Sequence, residues 1–263
     1  MTTVSTRMPA LFIGHGSPTN AIERNSHSLA WQDAGRRLPR PRAILAISAH
    51  WYRSGIAVTA MPAPRTIHDF SGFPPALYEV QYKAPGDPGL AAQVAALLAP
   101  SRVVLDQDWG LDHGSWSVLS HLFPDADVPV VQLSLDADLA APDHYSLARR
   151  LAPLRDEGVL ILGSGNLVHN LRTLRWAQNA TPYDWAVRFN DWARSCLLGG
   201  DHASLTDPFR FGEDARLAIP APDHYLPLLY AIAQKDQTDA VSLLTDGIVL
   251  GSIGMLAFAV GSA

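Results

Sequence analysis

Short, continuously apolar runs alternate along the chain with longer segments in which apolar residues recur every three or four positions. The short runs have the length of buried β-strands, and the longer segments have the periodicity of helices. The predicted strands are Ala10–Ile13, Ala43–Ser48, Ile56–Ala60, Arg102–Leu105, Val128–Leu133, Val159–Leu162 and Gly247–Val260. The last of these is long enough to hold two strands, divided at Gly251 or Gly254.

Three of the predicted helices have starts that can be read directly from the sequence. They open at Pro88, Pro182 and Pro222, and proline suits the first helical position because its missing N–H needs no partner there. The second of these helices is expected to end at the glycine pair 199–200. In the third, Pro227 is expected to kink or shorten the first turn.

The alternation of strands and helices predicts the fold class. Because the strands are apolar throughout, both faces of the sheet should be covered by helices. The pattern therefore predicts an α/β protein with a largely parallel or mixed central sheet. No repeat and no Gly/Ser-rich linker divides the chain, so we expect one catalytic domain over residues 10–263, preceded by a short tail at 1–9.

Composition narrows the range of partners. The 263 residues include 20 basic and 25 acidic ones, a formal charge of −5, and the basic residues form no cluster. Nucleic acid is therefore not expected as a partner, because phosphate binding needs clustered Lys and Arg. The apolar tail Ile248–Val260 is shorter than the roughly 20 residues of a membrane-spanning helix, and no signal peptide is evident, so no membrane association is expected. The single cysteine, Cys196, favours a reducing cytoplasm.

Histidines stand where three of the predicted strands end. His15 follows the first strand, His50 follows the second, and His169 follows the sixth by way of a Gly-Ser-Gly-Asn turn. Ligands of open α/β sheets bind beyond the carboxyl ends of the strands. The sequence therefore directs three histidines from distant positions to one edge of one sheet.

Two further histidines belong with these three. His113 is flanked by glycines, and His224 lies at the predicted start of a helix. Any one of the five could be an ordinary hydrogen-bonded residue, but five such positions together indicate a metal or proton-transfer site. With one cysteine in the chain, the metal ligands would be imidazole and carboxylate. Four other histidines are expected at the surface: His27, His121, His144 and His202.

The motifs of several other enzyme classes are absent. The chain has no G-x-S-x-G nucleophile elbow and no H-E-x-x-H zinc motif. Gly14-His15-Gly16 does not continue into G-x-G-x-x-G, and no G-K-[ST] phosphate loop occurs. Serine hydrolases of the nucleophile-elbow type, dinucleotide enzymes, P-loop proteins and zincin proteases are therefore disfavoured.

Six motifs occur in the order found in one known family. They are G-H-G-S-P, A-I-S-A-H-W, T-I-H-D-F-x-G-F-P, D-H-G-x-W, G-S-G-N-x-V-H-N-L-R and P-x-P-D-H-Y-L-P-L-L-Y. On these motifs the chain resembles the class III extradiol ring-cleavage dioxygenases, and among them the 4,5-DOPA dioxygenase branch, over about residues 10–261. Six motifs in register are specific for the family and much less so for the substrate.

The resemblance implies a non-haem Fe(II) at the carboxyl edge of the sheet. Carried over motif by motif, its ligands would be His15, His50 and His224. Related ring-cleaving enzymes use a glutamate as the third ligand, so the neighbouring Asp223 is the alternative to His224. Zn(II) can occupy such a site in purified protein, because imidazole ligands bind zinc more tightly than ferrous iron.

The resemblance also implies roles for residues around the metal. His169 corresponds to a histidine that acts as acid and base, and His113 to one that steers the substrate and oxygen. The aromatic substrate pocket is expected to include Trp51, His68, Phe70, Phe73 and Tyr225. For His68 a packed loop is an equal possibility.

The implied reaction inserts O2 into a small aromatic diol, a catechol such as DOPA, and gives a muconic semialdehyde. Activity is expected to fall below about pH 6, where free imidazoles protonate and protons compete with the metal. The residues leave two alternatives open. One is a zinc-dependent hydrolase that uses the same histidines, and the other is a non-catalytic metal-binding member of the same superfamily.

Overall fold

The structure is a computed structural model that describes residues 7–177 and 180–261. Its strands are β1 (Ala10–Gly14), β2 (Ala43–Arg53), β3 (Ile56–Thr59), β4 (Arg65–Thr66), β5 (Val103–Asp106), β6 (Gly110–Leu111), β7 (Val130–Asp136), β8 (Val159–Gly165), β9 (Val241–Thr245), β10 (Ile248–Val249), β11 (Ile253–Gly254) and β12 (Ala257–Val260). Its α-helices are α1 (Ser26–Arg37), α2 (Pro75–Tyr78), α3 (Pro88–Leu97), α4 (His113–Leu122), α5 (Ala141–Arg149), α6 (Pro153–Asp156), α7 (Asp184–Gly199), α8 (His202–Thr206), α9 (Glu213–Ala218) and α10 (Leu226–Ile232). Short 3₁₀ helices occur at Pro18–Ala21, Leu171–Thr173 and Pro208–Phe211. No helix in the described ranges is long and apolar enough to cross a membrane.

Eight strands form one mixed sheet in the order β5-β3-β7-β2-β8-β1-β12-β9. The central strands β7, β2, β8 and β1 run parallel to one another, whereas β12 is antiparallel to both β1 and β9. Helices pack on both faces, as β1 shows. Ala10 and Phe12 join a buried cluster with α3, α5, α7 and α10, and Leu11 and Ile13 join another with α1 and α4. The predicted single-domain α/β fold with a mixed sheet is confirmed.

Several predicted element boundaries are wrong. Strand β2 continues to Arg53 instead of ending at Ser48, and the apolar stretch before the C-terminus holds three short strands in place of two. Strand β9 was missed because it lies at the sheet edge, where its side chains are partly exposed and show no apolar run. Helix α10 begins at Leu226, since the carbonyl of Pro222 accepts the N–H groups of Tyr225 and Leu226 in a separate turn.

A buried arginine ties the start of the chain to the sheet. Arg155 is fully buried and donates hydrogen bonds to the carbonyl oxygens of Met8, Gln234 and Val260, while it pairs with Asp239 at 2.7 Å. A buried guanidinium needs this number of acceptors to offset its lost hydration. Residues 7–9 of the predicted tail therefore pack against the domain, and residues 1–6 lie outside the described ranges.

Two glycines of β8 let another segment lie directly on the strand. A Cβ added to Gly163 would stand 2.3 Å from the carbonyl oxygen of Pro227, and one added to Gly165 would stand 2.2 Å from that of His224. Real Cβ atoms do not approach so closely, so only glycine fits at both positions. The Gly-Ser-Gly sequence thus sets where the segment 224–227 rests on the sheet.

We expect Gly163→Ala to lower the free energy of unfolding by about 1–3 kcal/mol, the usual cost of forcing an extra methyl group into a packed site. The matched control is Gly199→Ala, because a Cβ at this helical position meets no atom within 4 Å. The control should be neutral or more stable by up to about 1 kcal/mol, since alanine favours helix over glycine. Urea denaturation of both variants makes the comparison, and equal midpoints for the two would contradict it.

Candidate metal centre and cavity

A cavity of about 240 Å³ opens beyond the carboxyl ends of β1, β2 and β8. Five histidines line it, and they are those that the sequence directs to this edge: His15, His50, His113, His169 and His224. Apolar side chains make up most of the remaining wall within the described residues. The cavity therefore has the composition of a small-molecule site, with a few polar groups at one end of an apolar pocket.

His15 directly follows β1 and is held in one tautomer by β8. Its Nδ1 lies 3.0 Å from the hydroxyl oxygen of Ser164, and that hydroxyl donates its own proton to the carbonyl of Gly114. A serine hydroxyl has a single proton, so its oxygen must accept the Nδ1–H of His15. The lone pair of the His15 ring is therefore on Nε2.

His50 lies in a bulge of β2. This strand pairs with β7 at Ile47 opposite Leu133 and again at Tyr52 opposite Leu135, so four residues of β2 stand opposite one residue of β7. Bulges of this kind turn side chains away from the regular alternation of a strand. Helix α4 approaches the bulge closely at Gly114, where an added Cβ would be 2.9 Å from the His50 ring.

Asp69 orients two of the histidines, although the sequence analysis did not identify it. Its Oδ2 lies 3.3 Å from Nδ1 of His50 and 3.0 Å from Nδ1 of His113, and its Oδ1 accepts the backbone N–H of His113. Burial favours the neutral acid, but the hydrogen bonds and charge of His113 outweigh it and lower the pKa of Asp69. The sequence did place Asp69 in the motif T-I-H-D-F, but only its neighbours His68 and Phe70 were assigned to the pocket from that motif.

His224 is oriented in the same way by its own neighbour. Its Nδ1 lies 2.9 Å from Oδ2 of Asp223, so the carboxylate accepts the Nδ1–H and the lone pair is on Nε2. Burial alone would raise the pKa of Asp223, yet its hydrogen bond with His224 lowers it. The ring of His169 stacks on that of His224, with centroids 3.4 Å apart and planes within 7°.

The histidine nitrogens approach one another as metal ligands do. Nε2 of His50 is 3.2 Å from Nε2 of His15, and two lone pairs at that distance repel unless a proton or a cation lies between them. Nitrogen atoms of His15, His50 and His113 all lie within 4.8 Å of one another. The ring centre of His224 is 5.4 Å from that of His15 and 4.9 Å from that of His50. This donor set fits a divalent first-row metal, with His224 and His113 both in reach of the third position.

Two observations favour His224 over His113 as the third ligand. Metal-binding histidines usually donate their second ring N–H to a carboxylate or carbonyl, and Nδ1 of His224 has the carboxylate of Asp223 at 2.9 Å, whereas Nδ1 of His113 shares Oδ2 of Asp69 with His50. His113 is also the first residue of α4, and the positive end of a helix dipole disfavours a cation.

Burial keeps three of the site histidines, His15, His50 and His169, neutral. It lowers the pKa of His15 and His50 well below the usual 6.5, and neighbouring histidines lower it further. Burial likewise lowers the pKa of His169 to about 3, with His224 adding to the effect. Neutral imidazole binds a metal, so the acid limit of activity should lie below the pH 6 that an unperturbed histidine would set.

The structure places only part of the predicted aromatic pocket at the cavity. Phe70 and Phe73 line it, but the prediction for Trp51 and Tyr225 is wrong. Trp51 is buried and stacks on Trp109 at 5.3 Å, and Tyr225 is buried with its hydroxyl bonded to the carbonyl of Leu205. Both residues adjoin a site histidine in sequence, but their side chains turn into the core.

Two further histidines differ from expectation. His68 lies behind Phe70, with Nε2 3.0 Å from the carbonyl of Val80, and does not reach the cavity wall. His144 was expected at the surface but is fully buried, because its two ring nitrogens are satisfied at 3.0 Å by Tyr230 and by the carbonyl of Asp136. The cavity wall instead includes apolar residues that the sequence analysis missed: Leu171, Leu174, Trp176, Leu250 and Ile253.

Comparison with known proteins connects this site to ring-opening enzymes. Residues 6–212 match the family described as the catalytic LigB subunit of aromatic ring-opening dioxygenase. The chain is 48% identical to 4,5-DOPA dioxygenase extradiol of Escherichia coli K12, over 98% of this chain and 96% of that protein. It is 38% identical to 4,5-DOPA dioxygenase extradiol of Beta vulgaris, over 89% of each. The crystal structure of an uncharacterized Escherichia coli K12 protein superposes with a TM-score of 0.85 at 44% identity, over 97% of this chain and all of the other.

We expect His224→Ala to lose bound metal and His113→Ala to retain it. The physical reason is that His224 has an anchored Nδ1, whereas His113 lies at the positive end of α4. Metal per chain is measured by plasma emission after dialysis, with His15→Ala as the positive control for loss. If His224→Ala retains its metal, the third ligand is a different residue. Loss of metal in Asp223→Ala would identify Asp223 as that ligand, and loss in His113→Ala would identify His113.

The metal-free protein should lose stability as the pH falls below 6.5. In the unfolded chain histidines take up protons near that pH, whereas His15, His50 and His169 stay neutral in the fold, so acid favours the unfolded state until the folded pKa values are reached. Asp112 opposes this trend, because burial raises its pKa to about 6 and folding then favours its protonated form. The effect of this one carboxyl is smaller than the combined effect of the three histidines. Urea denaturation in chelator at pH 8, 6.5 and 5 measures the slope. A flat or rising stability over that range would contradict the burial of neutral histidines.

Proposed function

This chain belongs to the LigB family of aromatic ring-opening dioxygenases and is an extradiol dioxygenase, and we propose that it opens a small catechol such as DOPA with O2 and a non-haem Fe(II). The product would be a muconic semialdehyde. The observation that carries the proposal is the group of five histidines at one end of an apolar cavity, three of which, His15, His50 and His224, have an oxygen acceptor within 3.3 Å of Nδ1. Relatives that carry the name 4,5-DOPA dioxygenase extradiol support DOPA as the first substrate to test.

The metal would be held by Nε2 of His15, His50 and His224. Nδ1 of these rings lies 3.0 Å from Ser164, 3.3 Å from Asp69 and 2.9 Å from Asp223, respectively, and an oxygen at this nitrogen favours the tautomer with its lone pair on Nε2. Fe(II) held there would supply the redox chemistry through which the diol and O2 react. Zinc is expected in the protein as purified, because imidazole sites favour it in raw affinity.

His169 is suited to accept and return a proton beside the metal position. Its ring lies on that of His224, and its backbone is fixed by a 2.9 Å hydrogen bond from its N–H to the carbonyl of Ala218. Burial lowers the pKa of His169 to about 3, but a deprotonated catechol oxygen nearby would raise that pKa and favour the protonated ring. His169 can then hold the substrate proton and release it when the O–O bond of dioxygen breaks.

Other groups would bind and orient the ring. Phe70 and Phe73 contact each other edge to face and give the cavity a flat apolar wall, which accepts an aromatic ring and excludes water. His113 faces the cavity from the first turn of α4, where the helix dipole favours the negative charge of a deprotonated diol. We also infer a cytoplasmic location, supported by a single cysteine, Cys196, that is buried and unpaired.

The decisive experiment combines metal loading with oxygen uptake. Metal-free protein is loaded anaerobically with Fe(II), mixed with DOPA or catechol, and exposed to air. We expect one O2 consumed per yellow semialdehyde formed, with no organic cofactor added. Hydrolysis of an ester or amide by the zinc form, with no oxygen uptake from any catechol, would instead favour the hydrolase, and metal binding without turnover would favour a non-catalytic protein.

His169→Ala provides the control for proton transfer in the same assay. The variant should bind Fe(II) as the unaltered protein does and turn over about 100-fold to 10,000-fold more slowly, the range for a lost acid/base group. Loss of the metal in this variant would place His169 among the ligands. Unchanged turnover would remove it from the reaction.

A further inference from the structure

Four apolar side chains surround the mouth of the cavity and are called here the apolar rim: Leu171, Leu174, Trp176 and Leu250. Two of them are unusually exposed for their size, with Trp176 at 80% and Leu171 at 59% of their accessible surface. Neither of these two side chains is accounted for by core packing. Exposed apolar groups clustered at one cavity mouth are typical of a surface that a ligand covers.

Leu250 is held in a backbone conformation that leucine disfavours. It has φ +51° and is followed by Gly251 at φ +79°, at the centre of a turn closed by a hydrogen bond from the N–H of Ser252 to the carbonyl of Val249. Positive φ at both central residues is the pattern for which Asn-Gly is strongly preferred. A branched apolar residue in this backbone conformation is strained, and strained residues are often found at functional sites.

The two segments of the apolar rim form one unit. The N–H of Arg175 bonds to the carbonyl of Leu250 at 2.9 Å, the N–H of Tyr183 to that of Gly251 at 3.0 Å, and the N–H of Asn170 to that of Ser252 at 3.2 Å. The turn therefore positions the chain that carries Leu171, Leu174 and Trp176. These hydrogen bonds hold Leu250 and Trp176 at the same cavity.

No lysine, arginine, aspartate or glutamate lines the cavity within the described residues. Two arginines adjoin the apolar rim in sequence, Arg172 and Arg175, and neither lines the cavity. Arg175 is also engaged elsewhere, since its guanidinium lies 3.8 Å over the ring of Tyr183 and donates to the carbonyl of Thr181. The carboxylates of Asp69 and Asp223 are engaged by histidines. A charged substituent brought against the apolar rim would lose hydration without gaining a partner.

We propose that the apolar rim binds the ring substituent of the substrate and selects catechols whose substituent is uncharged and apolar over those that carry a carboxylate or an amino-acid group. This inference rests on the proposed function and narrows the substrate class of the same site. DOPA would still be opened, but less efficiently than a catechol with an apolar substituent of similar length. The histidines engage the diol at one end of the cavity, and the apolar rim contacts what projects from the other side of the ring.

The test compares substituents of matched length on the Fe(II)-loaded protein. Relative to catechol, kcat/KM should rise through 4-methyl-, 4-ethyl- and 4-propylcatechol, by up to about fourfold for each buried methylene. It should be at least tenfold higher for 4-propylcatechol than for 3-(3,4-dihydroxyphenyl)propanoate or DOPA. Oxygen uptake with every catechol but equal or higher kcat/KM for the charged ones would overturn this inference and leave the proposed function intact.

Two variants test the apolar rim itself. Leu250→Asn creates the preferred Asn-Gly turn, so its Tm should be equal or higher, while the ratio of kcat/KM for 4-propylcatechol to that for catechol should fall at least fourfold. Trp176→Ser should lower the same ratio without loss of Tm, because that side chain is mostly exposed. The matched control is Leu198→Asn on α7, a 54% exposed leucine away from the cavity wall, which should leave the ratio unchanged.

Measuring catechol binding to the metal-free protein tests the apolar rim without relying on turnover. Calorimetric titration with 4-propylcatechol and with 3-(3,4-dihydroxyphenyl)propanoate should show at least tenfold tighter binding of the former, and the preference should shrink in Leu250→Asn. If no catechol consumes oxygen but this preference is seen, the proposed reaction fails and the apolar rim is supported. If neither the binding preference nor the kinetic ratio depends on Leu250 or Trp176, the inference is wrong.

Discussion

The site depends on a close contact between two stretches of backbone. Gly165 has no Cβ, so the carbonyl of His224 can lie against the end of β8, where it accepts the N–H of Asn166 at 2.8 Å. The carbonyl of Gly165 in turn accepts the N–H of His15 at 3.0 Å. One glycine at the end of one strand therefore fixes the main chain of two histidines that are more than two hundred residues apart in sequence.

Hydrogen-bond acceptors around the histidines determine their chemistry. A buried imidazole without a partner would be costly and would rotate freely, whereas Ser164, Asp69 and Asp223 bind the Nδ1 side of the rings and leave Nε2 open. Burial also lowers the pKa of His15, His50 and His169, so these rings are neutral at pH 7 and each keeps one nitrogen lone pair. A divalent cation relieves the resulting repulsion, which is why the same arrangement is both unfavourable when empty and suited to a metal.

The cavity separates a polar end from apolar walls. Rigid elements carry the polar end, since its histidines follow β1, lie within β2, begin α4 or rest on β8. Loops carry much of the wall, including the chain around Trp176 and the turn at Leu250. Catalytic chemistry needs fixed distances, whereas recognition of a substituent needs shape and the absence of charge, and the two parts of the fold match these two demands.

By itself the sequence determined the α/β class, most of the central strands and the five histidines that meet at the sheet edge, because apolar runs and strand-end residues are local features. It could not determine which neighbours of those histidines reach the cavity. Trp51 and Tyr225 adjoin site histidines yet turn into the core, and Asp69 was overlooked although it contacts two of the rings. Tertiary structure decided three further features. They are the bulge that carries His50, the hydrogen bonds between the Leu250 turn and the Trp176 segment, and the close contact of the His224 carbonyl with Gly165. Each depends on contacts between residues far apart in the chain, and no local pattern records such contacts.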